Sequence, residues 1–156
     1  MHNLTNLDEL DLLILNELQK DGRASFTEIA DRVEVSISNV RSRVTKLLDD
    51  KTIQIVGRVD PQQVGFHAYA NIMVSVRPAR LLHEVVNLLL PMKEVSFLAI
   101  TSGEFDLEVD VMCKDNEQLT QFINEKLAVI EGVYQTKTTL YLRVFKYAQP
   151  DLSLVR

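Results

Sequence analysis

Cysteine is almost missing from this chain: Cys113 stands alone among 156 residues. A single cysteine closes no internal disulfide, and its place in a predicted strand makes it a buried thiol. It also has no partner histidine at a recognisable spacing. Glycine is scarce, with 5 residues, and none of them builds a phosphate-cradling loop. His2, His67 and His83 are scattered, without a second ligand at metal spacing. An enzyme, a metal centre and a bound cofactor are therefore not expected. Apolar runs all fall short of the roughly 20 residues that cross a bilayer. Residues 1–6 lack a basic segment followed by an apolar one, so the expectation is a cytoplasmic protein without a membrane partner. Positive charge is in short supply as well. Lysine and arginine number 17 against 22 acidic residues, a formal charge of −5. That balance excludes a protein that coats nucleic acid through bulk charge, yet leaves room for a local basic face.

What is present is the composition of a globular protein, 46% hydrophobic and 25% charged. The length suffices for one core or two small ones. Residues 25–49 organise the first part. Ser25-Phe26-Thr27-Glu28 is a capping box, in which serine and glutamate satisfy each other's orphan amides at a helix start. Phe26, Ile29, Ala30 and Val33 follow at helical spacing. After Glu34-Val35, Ser36 is placed to cap a second helix. On a 100° wheel its Ile37, Val40, Val44, Leu47 and Leu48 share one side, and Ser38, Asn39, Arg41, Ser42, Thr45 and Lys46 the other. From Ile37 to Leu48 there are cations (Arg41, Arg43, Lys46) and no acid. Small hydroxyls, an amide and cations on one face suit a DNA major groove, because they permit close approach and reach phosphates or base edges. Upstream, Asn6 with Glu9 is read as the cap of a first helix, whose buried stripe is Leu7, Leu10, Ile14 and Leu18. Gly22 ends it in a left-handed conformation. Three helices in some fifty residues predict a helix-turn-helix unit whose third helix reads double-stranded DNA.

β-branched residues 53–59 predict a strand or wing, followed by a linker marked by Pro61 and Gly65. From His67 the period changes to 2: Ala70, Ile72, Val74 and Val76 alternate with Tyr69, Asn71, Met73 and Ser75. Pro78 opens a helix with a Leu82, Val85, Val86, Leu89 stripe. Residues 95–101 form a second strand, and Leu107, Val109 and Val111 mark a third. A helix over 116–130 and a long last strand over 133–144 complete the pattern. The expected fold class is α+β. A helix-turn-helix (winged-helix-like) domain spans 1–52, a strand and linker 53–66, and a ferredoxin-like βαββαβ domain 67–156. The sheet's helix-free face, with Tyr69, Met73, Met112 and Tyr141, is a candidate dimer surface.

One ordered set of fragments runs through both halves: Leu7-Asp8-Glu9-Leu10-Asp11 with Ile14-Leu15, residues 18–25, Glu28-Ile29-Ala30, Val35-Ser36, Val40, residues 43–47 and Ile53. It continues with Thr101-Ser102-Gly103-Glu104-Phe105-Asp106, Gly132-Val133 and Thr136-Lys137-Thr138. In that set the chain resembles the Lrp/AsnC (leucine-responsive regulator / asparagine regulator, feast-famine) family of transcriptional regulators. The family usually carries glycine where Glu34 and Lys51 stand. A left-handed glutamate there costs about 1 kcal/mol and brings a negative charge near the DNA-facing surface. The resemblance implies a transcription regulator that assembles as a dimer, tetramer or octamer. It also implies an amino acid or related small effector, held by Ser102, Gly103, Glu104 and Asp106.

For DNA, Arg41 is the first candidate contact, with Ser38, Asn39, Ser42 and Lys46 beside it. Arg43, at the edge of the polar face, is placed for a salt bridge or a phosphate, and Ser36 for capping with access to a phosphate. The alternative is a small-metabolite sensor or a dimeric ferredoxin-like enzyme without DNA binding, since fold alone does not decide function. Neither alternative explains a third helix whose front is free of acids.

Overall fold

The computed structural model describes residues 7–146 and 148–155. The chain divides into two compact units, Met1–Arg58 with Tyr147–Arg156, and Val59–Lys146.

The first unit is trihelical: α1 (Glu9–Lys20), α2 (Phe26–Val33) and α3 (Ile37–Asp49). Asn6 lies outside the described residues. The observed cap of α1 is Asp8, in a capping box closed by Asp11 rather than Glu9. The Asp11 amide donates to Asp8 Oδ1 at 2.9 Å and the Asp8 amide to Asp11 Oδ2 at 3.2 Å. α2 starts on the expected Ser25/Glu28 box and α3 on Ser36. Ile14, Leu15, Leu18, Ile29, Ala30, Val40, Val44 and Leu47 are buried together, with Leu7, Leu10 and Phe26 against them. Ile37 and Leu48, expected on the inner side, are 44% and 39% exposed. They lie at the two ends of α3, where the facing helices no longer cover the stripe.

The corner between α2 and α3 turns on Glu34, which is left-handed (φ 56, ψ 44). Lys51 is left-handed too, at φ 60. Gly22 is not: α1 ends on Asp21 in an extended conformation (φ −145). A Cβ at Gly22 would stand 3.3 Å from Cγ2 of the exposed Ile55.

Residues 53–59 make no strand or wing among the described residues. Ile53 is half-buried on the trihelical core, but Ile55, Val56 and Val59 are exposed. β-branched side chains favour a strand only where another strand supplies the ladder. The C-terminal residues, expected with the second domain, pack in the first unit. Leu152 joins its core, and Gln19 Nε2 donates to the Pro150 carbonyl at 3.1 Å.

The second unit is a four-stranded antiparallel sheet in the order β2-β3-β1-β4. Its strands are β1 (Ala68–Val76), β2 (Val95–Ile100), β3 (Leu107–Cys113) and β4 (Val133–Leu140). Two helices complete the split βαβ arrangement. The first, α4 (Leu82–Leu89), is entered through a 3₁₀ turn over Ala79–Leu81 rather than directly at Pro78. The second, α5 (Asn116–Gln121), continues as a π-helical turn over Phe122–Leu127. Alternation sends Ala68, Ala70, Ile72, Val74, Val76, Leu107, Val109, Val111 and Cys113 into one core with Val85, Leu89, Leu119, Phe122 and Leu127. Burial pushes the Cys113 thiol above its ordinary pKa, and the charges of Glu94 and Asp115 add to this.

β4 ends sooner than expected. Tyr141 still donates its amide to the Tyr69 carbonyl. Beyond it, near the start of β1, Leu142 and Phe145 are 95% and 84% exposed. Gly132, left-handed at φ 96, turns the chain into β4 where a Cβ would come within 3.0 Å of Leu81 Cβ.

Candidate nucleic-acid interface and effector loop

α3 places Ser36, Ser38, Asn39, Arg41, Ser42 and Lys46 on its exposed side, because the buried Val40, Val44 and Leu47 fix its rotation. Ser36 caps: its Oγ accepts from the Asn39 amide at 3.3 Å and lies 3.2 Å from Ser38 Oγ. The guanidinium of Arg41 sits 5.7 Å from the centre of the Phe26 ring on α2. A cation near an aromatic face is attracted by the ring quadrupole, which steadies this exposed side chain. Lys46 is exposed and forms no salt bridge among the described residues.

Arg43 is engaged within the unit. Its Nη1 donates to Asp8 Oδ1 and Oδ2, each at 2.6 Å, and to Asp11 Oδ1 at 2.8 Å, while its Nε donates to Asn39 Oδ1 at 3.0 Å. Of the two outcomes expected for Arg43, the salt bridge is the one observed. The hydrogen bond from Arg43 holds the Asp8 carboxyl below its ordinary range, with the Asp11 amide helping. The same bonds raise the pKa of Arg43. Asn39 thereby spends its carbonyl on Arg43 and keeps its amide nitrogen. Sequence reasoning missed Asp8 and Asp11 as partners of α3; the aspartates flanking the start of α1 were the available signal.

In the second unit, residues 102–106 link β2 to β3. Ser102, Gly103 and Glu104 are exposed, Phe105 is buried, and Asp106 is half-buried. Both ends of the loop are pinned. Thr101 donates its amide to the Asp106 carbonyl at 3.0 Å and its Oγ1 to the Phe105 carbonyl at 2.6 Å. A Cβ at Gly103 would meet nothing within 4 Å, so the chain's own packing does not require glycine there. The Asp106 carboxylate accepts from the Val76 amide at 2.8 Å and from Arg77 Nη1 at 3.3 Å. It is thus anchored to the end of β1, an engagement the sequence did not reveal.

On the sheet's helix-free face, Asn71 Nδ2 donates to Glu108 at 3.0 Å and to Asp110 at 2.9 Å. Tyr69 donates to Asp110 at 3.1 Å, and its ring lies 4.6 Å from that of Tyr141. No group of histidine, cysteine and acids among the described residues has a metal-binding arrangement. No described helix is long and apolar enough to cross a membrane.

Residues 7–48 match the AsnC-type helix-turn-helix domain, and residues 69–151 match the Lrp/AsnC ligand binding domain. An uncharacterized HTH-type transcriptional regulator of Pyrococcus horikoshii is 38% identical over 142 residues, 90% of this chain and 89% of that one. The HTH-type transcriptional regulator Ptr1 of Methanocaldococcus jannaschii is 34% identical over 141 residues, 90% of this chain and 95% of that one. Among solved structures, a Neisseria meningitidis transcriptional regulator in complex with L-methionine superposes with a TM-score of 0.87. It is 26% identical and covers 96% of this chain and 99% of its own. The AsnC structure of E. coli shares the fold, with a TM-score of 0.83 at 24% identity over 92% of this chain and 99% of that one. With both of its units matched, the chain belongs to the Lrp/AsnC family and is a DNA-binding transcriptional regulator of the helix-turn-helix type.

Proposed function

We infer that the regulator grips duplex DNA through the front of α3, with Arg41 and Lys46 on phosphates or base edges. Ser38, Asn39 and Ser42 allow the close approach, Ser36 sits at the helix start beside a phosphate, and Arg43 braces the helix. The observation that carries this reading is the exposed, acid-free front of α3 in an acidic chain. Acting as a dimer or higher oligomer, it takes an imperfect palindrome with half-sites whole helical turns apart. Tyr69, Met73, Met112 and Tyr141 on the helix-free sheet face are the self-association surface. Half-buried Tyr69, Met73 and Met112 share this helix-free face with exposed Tyr141, which supports the role.

An amino acid or related small metabolite controls the regulator from the loop of Ser102, Gly103, Glu104 and Asp106. The pinned loop ends, the open space at Gly103 and the L-methionine complex of the Neisseria relative support that assignment. The test is selection of bound genomic fragments with and without each of a panel of amino acids. A palindromic consensus whose recovery changes with one amino acid is the expected result. Recovery without sequence preference contradicts the DNA reading, and recovery indifferent to every amino acid contradicts the effector reading.

A further inference from the structure

We propose that Asn39 is a specificity-determining residue for DNA, turned by Arg43 so that its amide nitrogen alone faces the groove. In that setting it selects a keto base, guanine or thymine, at one position of each half-site. The proposal rests on α3 as the helix that reads DNA and deepens that reading, by giving one of its polar side chains a fixed hydrogen-bonding sense.

An asparagine side chain carries an acceptor at one end and two donors at the other. Left free to turn, it satisfies an amino base with its oxygen or a keto base with its nitrogen, and it can take adenine with both. Asn39 is not left free. It is the third residue of α3, its backbone amide donates to Ser36 Oγ at 3.3 Å, and Arg43 stands one turn further along the same side. Arg43 Nε donates to Asn39 Oδ1 at 3.0 Å. Arginine has donors only, so the oxygen is the end that faces it.

The guanidinium that turns the amide is itself fixed. Its Nη1 donates to both oxygens of Asp8 and to Asp11 Oδ1, and those two aspartates hold each other in the capping box of α1. The Arg43 side chain is 27% exposed and that of Asp11 11%. Turning Asn39 over would set its NH2 against the Arg43 N–H, donor against donor, and leave that half-buried N–H unpaired. Two carboxylates already meet the one cation, so what α3 offers beside its front at this place is the Asn39 amide. Nδ2 of this exposed residue has no hydrogen-bond partner among the described residues. In the major groove guanine O6 and thymine O4 accept, whereas adenine N6 and cytosine N4 donate. A held nitrogen pairs with the first two and meets the other two donor to donor.

The experiment is selection of bound duplexes from a randomised pool by the full-length protein, followed by affinities for single-base variants of the consensus. Asn39→Ala marks the position, where preference should flatten while the rest of the site keeps its own. There the wild type is expected to bind guanine or thymine about tenfold more tightly than adenine or cytosine. Asn39→Asp, which turns an acceptor outward in place of the donor, should reverse that order. Arg43→Ala frees the amide to turn, so the keto-to-amino ratio should fall toward one at that position only. Arg43→Lys, still able to donate to Oδ1, should retain part of it. Each ratio is taken within one protein and does not depend on how much of it is folded. An Asn39→Ala profile like that of the wild type, or an amino base in the wild-type consensus at the marked position, overturns the proposal and leaves α3 as the reading helix. An Arg43→Ala protein that binds every sequence more weakly with its ratio unchanged has lost only a brace, and overturns the proposal too. No sequence preference in the wild type overturns the reading of α3 and this proposal with it.

Discussion

Arg43 on α3 is bound to Asp8 at the start of α1, its Nη1 2.6 Å from each carboxylate oxygen. The bond ties α3 to the first helix across 35 residues of sequence, and it depends on the charge of Asp8. Asp8 titrates below its ordinary 3.8 because Arg43 donates to the charged form. A depressed carboxyl adds stability that is present above the unfolded pKa and disappears as pH falls through the folded one. Asp8→Asn keeps a helix cap but removes that charge. At pH 7 it should melt below the wild type, and the gap should narrow as pH falls below the ordinary carboxylate range. A gap independent of pH in thermal melts would show that the ion pair contributes nothing.

Glu34 tests the corner. With φ at 56, its Cβ crowds the neighbouring carbonyl, and Glu34→Gly relieves about 1 kcal/mol at most, since glycine also gives the unfolded chain more freedom. The expected result is a melting temperature higher by a few degrees. Glu34→Gln leaves the backbone strained, so its melting temperature should stay near that of the wild type. Both substitutions should tighten DNA binding, because both remove the same negative charge.

Gly132 tests the second unit. Gly132→Ala places a methyl 3.0 Å from Leu81 at a left-handed position. We expect a loss of about 1–3 kcal/mol in denaturant unfolding, confined to the Val59–Lys146 unit. An unchanged unfolding midpoint would mean that the turn relaxes without cost.

Asp106 tests how the loop between β2 and β3 is held. Asp106→Ala leaves the amide of buried Val76 without its acceptor and Arg77 Nη1 with the Val76 carbonyl alone. A cost of about 1–3 kcal/mol follows for an amide left unpaired, read as faster hydrogen exchange at Val76. Asp106→Asn, which still accepts, should exchange at nearly the wild-type rate.

Features decided within a few residues were legible in the sequence. The Ser25/Glu28 box, the Ser36 cap and the period-2 alternation of β1 and β3 all depend on neighbours two to four positions away. Glu34 was foreseen as left-handed because the family resemblance marked its position as a glycine site. What escaped was set by distant partners. Arg43 was placed at the edge of the polar face with a salt bridge among its expected outcomes, but its partners Asp8 and Asp11 lie more than 30 residues away at the start of α1. Residues 53–59 have the composition of a strand but no neighbouring edge to pair with. β4 ends at Leu140, opposite Ala70 near the start of β1, and that pairing is written in another strand. The loop residue Asp106 was legible as a candidate, whereas its anchorage to Val76 and Arg77 depends on the β1–β3 register.

The claim on which the account stands is that the cations on the front of α3 meet the DNA backbone. Its most direct test is the slope of log affinity against log salt for a bound genomic fragment, measured for the wild type, Arg41→Ala, Lys46→Ala and Arg43→Ala. Each phosphate contact contributes about 0.9 to that slope. Arg41→Ala and Lys46→Ala should each flatten it by about that much per subunit. Arg43→Ala should leave the slope unchanged while lowering the melting temperature. Identical slopes for the wild type, Arg41→Ala and Lys46→Ala would contradict the claim.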